Sequence, residues 1–117
     1  VQRLTELKEK KIARGAVFRV KAEYPYEEVV DFMLVETTDA ERPLGIMVAT
    51  GYSAGHTFVH LPGEALMKGT RMLSVEWLKQ NWEKWVYSPC PPQEVLFLER
   101  YPEPTFDQMK TRPDEAL

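Results

Sequence analysis

The stretch SVEWLKQNWEKWVYSPCPP, residues 74–92, carries the one long helical pattern in the chain, and so it sets what the other residues must build. Ser74 suits a helix N-cap, because its hydroxyl can accept a hydrogen bond from a free backbone N–H of the first turn. At ~100° per residue, Val75, Leu78, Trp82, Trp85 and Val86 fall within a sector of roughly 100°, with Glu76, Lys79, Gln80 and Glu83 on the opposite side. The prolines of SPCPP block continuation. The spacing predicts one main helix over about 75–86 whose apolar stripe needs a second layer. Trp77 lies about 130° from the centre of that stripe. Large apolar side chains are usually covered, so burial under the 63–70 loop or the C-terminal tail is expected. The competing reading is a partner-facing tryptophan, a residue type enriched among binding anchors.

The second layer reads as a sheet. AVFRVKAEY (16–24) alternates as a strand and breaks at Pro25. VVDFMLVET (29–37) follows, with Val30, Phe32 and Leu34 on one face and Val29, Asp31, Met33 and Val35 on the other. LGIMVAT (44–50), HTFVHLP (56–62) and QEVLFLERY (93–101) complete about five strands. Hairpin-length joints make the first four mainly antiparallel, giving an α+β fold packed by the main helix. Val1, Leu4 and Leu7 stand at helical spacing, which predicts a short helix within 1–14 ending near Gly15. GEALMKGT (63–70) reads as a loop with at most one helical turn. The expected division is a domain over 1–101 and a polar, proline-containing tail over 102–117, extended or partly disordered.

Few function classes survive the inventory. The net charge of −3 argues against direct nucleic-acid binding, which calls for a clustered basic face. No apolar run approaches the ~20 residues of a membrane-spanning helix, and no leader-like stretch opens the chain, which starts at Val1. Cys90 is the only cysteine, so an intrachain disulfide is impossible and a reducing compartment, the cytoplasm, is the expectation. Flanked by Pro89 and Pro91, it reads as a structural thiol. No phosphate-binding or dinucleotide glycine motif is present, and no cofactor is expected.

GYSAG, residues 51–55, matches the G-x-S-x-G elbow of serine hydrolases. A true elbow runs strand, sharp turn, helix, with the acid and then the histidine later in the chain. Here strand formers follow, and His56 comes three residues after Ser53 with no acid between them. The reading is a hairpin loop whose glycines supply permissive backbone, and no catalytic residue is assigned. His56 and His60 would stand roughly 13 Å apart on a strand, too far to share a metal.

YPYEE, residues 24–28, sets Tyr24 and Tyr26 beside Glu27 and Glu28, with Asp31 close behind. Aromatic area plus carboxylates can recognise a basic partner. A solvated corner with one tyrosine packed inward is the simpler alternative. Asp39 and Glu41 are most simply solvated turn acids, and are kept as further candidate contacts. Tyr52 joins them if it projects from its turn, and Trp77 if it faces outward.

RGAVFRV, YPYEEVVDFMLV, GYSAGHTFVHLP and SVEWLKQNWEKWVYSPCP together resemble the Immunity protein 45 family of bacterial polymorphic-toxin systems. The likeness covers about residues 10 to 100, and its most specific part is EWLKQNWEKWVY followed by CP. The resemblance implies a cytoplasmic antidote that binds a cognate toxin domain encoded nearby, a nuclease being one candidate activity. It implies no catalytic residues and supplies no set of toxin-contact residues. An adaptor or chaperone-like module for a secreted effector is the second reading, and a small serine hydrolase using Ser53 a remote third. An exposed edge strand would also allow a homodimer.

Overall fold

The structure, a computed structural model, describes residues 1–110. In chain order its elements are β1 (Gln2–Arg3), a 3₁₀ turn (Leu4–Glu6), β2 (Lys11–Ile12), β3 (Val17–Lys21), β4 (Val29–Glu36), β5 (Leu44–Val48) and β6 (Thr57–His60). A 3₁₀ turn (Gly63–Ala65), β7 (Leu73–Ser74), α1 (Val75–Asn81), a π-helical turn (Trp82–Val86), a 3₁₀ turn (Pro92–Glu94), β8 (Leu96–Leu98) and α2 (Phe106–Met109) follow. The main sheet has six strands in the order β1-β8-β3-β4-β5-β6, all pairs antiparallel. A second, two-stranded sheet pairs β2 with β7. The expected α+β architecture is present, with six strands in the main sheet instead of five.

Strand alternation divides the main sheet into two faces. Phe18, Val20, Val30, Phe32, Leu34, Leu44, Ile46, Val48 and Phe97 join the core with Leu78 and Trp82. Trp82 is fully buried, meets Phe18 edge-on at 5.5 Å, and donates from Nε1 to the Cys90 carbonyl at 2.9 Å. That bond satisfies the indole N–H where an unpaired donor would cost about 1–3 kcal/mol. Cys90 is buried, and burial pushes its thiol pKa up, as befits a packing thiol rather than a nucleophile.

The helix begins as expected: Ser74 Oγ accepts from Trp77 N at 3.2 Å. It does not stay α-helical through residue 86. From Trp82 the backbone widens into a π turn, closed by Tyr87 N donating to Trp82 O at 3.1 Å. Each residue of a wider turn rotates less than ~100°, so Trp85 swings back toward Trp77. Their rings lie 6.1 Å apart. Both are half-buried, packed against the core's flank.

The short N-terminal helix is replaced by one 3₁₀ turn. Leu4 and Leu7 are both buried but Val1, the third member of the spacing, is exposed, and Leu7 N donates to Leu4 O at 3.2 Å. A 3₁₀ turn also puts residues i and i+3 on one side. Pairing of Gln2–Arg3 with β8 and of Lys11–Ile12 with β7 holds both flanks extended, and helix nucleation is too costly to compete there. Within the expected tail, residues 102–105 are irregular and exposed, α2 adds one helical turn, and 111–117 lie outside the described residues.

Candidate partner-binding surface

The β3–β4 connection (22–28) and the β5–β6 connection (49–56) emerge at the same end of the main sheet. The first is held from beneath. Ala22 N donates to Glu28 O at 2.7 Å, Tyr26 N to Glu23 O at 2.9 Å, and Glu23 N to the Tyr87 hydroxyl at 3.0 Å. Tyr26 turns inward, its ring 6.2 Å from each of Phe32, Phe58 and Tyr87. Burial raises its phenol pKa. Tyr24, two residues earlier, is 95% exposed.

The second connection is GYSAG. Gly55 N donates to Val48 O at 2.7 Å and Val48 N to His56 O at 2.9 Å, which closes the hairpin. Gly51 and Gly55 have φ of +77° and +94°, a region costly for residues with a side chain. Strand β6 follows directly, so the strand–turn–helix geometry of a nucleophile elbow is not formed. Ser53 and His56 meet through the backbone, His56 N to Ser53 O at 3.1 Å. His60 packs instead over Gly45, farther along the strand. Tyr52 is 96% exposed.

Glu27 joins the two connections. Its Oε2 accepts from Tyr52 N at 3.2 Å, and its carboxylate lies so close over Gly51 that any side chain there would collide with it. Tyr24, Glu27, Glu28 and Tyr52 thus belong to one rim, with Tyr26 as its packed support. The rim also holds exposed Glu23, which sequence reasoning passed over. Neither connection contains Lys or Arg.

Asp31 belongs to the layer beneath, not to the exposed rim. Only 2% exposed, it takes two bonds from Arg19, at 2.7 and 2.9 Å, and one from the Tyr101 hydroxyl. Its own N–H donates to Thr50 Oγ1 at 2.9 Å. Burial would raise the carboxyl pKa, but the Arg19 and Tyr101 bonds and the Arg19 charge outweigh it and hold the group below the usual carboxylate range. Burial and the same carboxylate push the Tyr101 phenol far up. Arg19 and Asp31 are registered partners on β3 and β4, a pairing that sequence reasoning missed, and the third member, Tyr101, left no local signal.

Asp39 and Glu41 stand at the other end of the sheet, in the β4–β5 turn. Asp39 Oδ1 accepts from Glu41 N at 2.9 Å, the arrangement of a solvated turn. Trp77 sits on the helical side, stacked near Trp85. The nine sequence candidates therefore do not form one surface.

Among the described residues no group of three His, Cys, Asp or Glu is placed to hold a metal ion. A cleft beside β1 and β8 is lined by apolar residues together with Glu9, Lys11, Arg14, Glu99 and Arg100, with no Ser, Thr, Cys or His in its lining.

The model of the family described as Immunity protein 45 matches residues 4–97. The matched span runs from the first 3₁₀ turn into β8, and it includes both connections of the rim but not Tyr101 or α2. No curated protein and no solved structure matches the chain.

Proposed function

The chain belongs to the Immunity protein 45 family, and on that premise we propose that it binds and neutralises a cognate toxin domain encoded nearby. Inhibition is stoichiometric: the antidote occupies the toxin and performs no chemistry of its own. The observation that carries this reading is the family match, which spans 4–97 and so takes in the core and the main sheet apart from β1 and the last residue of β8. The geometry supports it, because Ser53 lies in a hairpin that leads to a strand and has no helix to build an oxyanion hole.

In this reading the protein acts in the cytoplasm of the producing cell. Among the described residues no helix is long and apolar enough to cross a membrane. The adaptor reading shares the binding role but predicts no protection. Co-expression decides: cells making the neighbouring toxin domain survive when this chain is present and die when it is absent. Death in both cases overturns the proposal, and so does survival that depends on a turnover reaction of this chain.

A further inference from the structure

We infer that the end of the sheet carrying Tyr24, Val29 and Tyr52 is the surface that docks the toxin domain, and that it docks into a basic cleft. The inference rests on the neutralising role proposed above and names the surface that performs it. Within the family span 4–97, three large apolar side chains stand exposed: Tyr24 at 95%, Val29 at 55% and Tyr52 at 96%. All three lie at this one end, on the two connections and the first residue of β4. Tyrosine offers a large contact area with few rotatable bonds to freeze, which is why it is over-represented at the centres of interfaces.

The end is also built before any partner arrives. The carboxylate of Glu27 ties one connection to the other, and Tyr26 and the Tyr87 hydroxyl anchor the first connection to the aromatic cluster. Tyr24 and Tyr52 thus project from a fixed base, and less ordering entropy is lost on binding.

Charge selects the occupant. Glu23, Glu27 and Glu28 are exposed around the tyrosines, and Lys21 at the base leaves acids in excess three to one. An acidic end with two fully exposed tyrosines fits a concave cationic site, the kind of cleft that would hold an anionic substrate. Other surfaces fit less well. Strand β6 is an open edge, but a register shift against β5 interrupts it, a device that guards edges against strand addition. Trp77 and Trp85 are half-covered by each other and by the core flank. Exposed Phe106 and Met109 lie beyond the family span.

The test uses the full chain and the toxin domain encoded beside it, with binding kinetics and cell protection read in parallel. Tyr24→Ser and Tyr52→Ser each weaken binding about thirtyfold or more, with an unchanged thermal midpoint because neither ring is packed. Glu23→Lys with Glu28→Lys slows association about tenfold or more at low salt, and the difference shrinks as salt rises. If wild type protects and binds but these variants bind equally well, the surface assignment falls and the neutralising role stands. If wild type neither binds nor protects, both fall.

Discussion

Tyr101 donates its hydroxyl hydrogen to Oδ2 of Asp31 at 2.5 Å, although 70 residues separate them in sequence. The bond fastens the segment after β8 across the face of the sheet that points away from α1. There, Asp31 and Arg19 form a planar two-bond pair across adjacent strands. Among the described residues, a polar network rather than a second helical layer holds the outer face near its centre.

Asp31 makes stability depend on acid. Its folded-state pKa is depressed, so the unfolded chain binds the proton more readily. The stabilisation is complete above the unfolded carboxyl value near ~4 and is lost as pH falls through the lower folded value. Asp31→Asn lowers unfolding free energy by about 1.5–3 kcal/mol at pH 7, and Tyr101→Phe by about 1. Urea titrations at pH 7 and pH 3 check this. Equal losses of wild type and Asp31→Asn between the two pH values would contradict it.

Glu27→Ala separates loop order from global stability. The carboxylate is exposed, so the unfolding free energy changes by no more than about 0.5 kcal/mol. The amide of Tyr52 loses its acceptor and exchanges with solvent hydrogen faster, while amides of β4 and β5 do not. Unchanged Tyr52 exchange would show that the two connections are held together by something else.

The centre of the core is expected to be unforgiving. Trp82→Ala costs about 3–5 kcal/mol through the cavity it opens. Ser74→Ala removes the helix cap for about 1 kcal/mol. Thermal denaturation ranks them, and a milder effect at Trp82 than at Ser74 would mean the core refills around the missing indole.

Ser53→Ala should leave protection, binding and stability as in wild type. Ser53 lies in a turn whose closing bonds are all backbone to backbone. A cell-protection assay in which this variant fails, with the fold intact by circular dichroism, would restore the hydrolase reading.

Much of this architecture is legible in the residues, and the exceptions have physical causes. Alternation in VVDFMLVE separated the core face from the outer face, because a strand repeats every two residues. Ser74 marked the helix start because capping is local chemistry. The N-terminal 3₁₀ turn was hidden because its conformation is decided by pairing with β7 and β8, more than sixty residues away. The π turn was hidden for a related reason: periodicity assumes a constant rotation per residue, and Trp85 departs from it. YPYEE and GYSAG could each be picked out as turns, but nothing in either string tells that Glu27 reaches across to Tyr52.

The position of β8 has a further consequence. It lies between β1 and β3, so the last strand of the sheet to leave the ribosome fills the gap beside the first. Until residues 96–98 are translated, Gln2–Arg3 has no neighbour and β3 keeps a bare edge. Nascent chains cut short before that point lack the closing piece of the sheet. The sheet is therefore completed in one step, when residues 96–98 emerge, and a stop codon just ahead of residue 96 is as damaging to it as one far upstream.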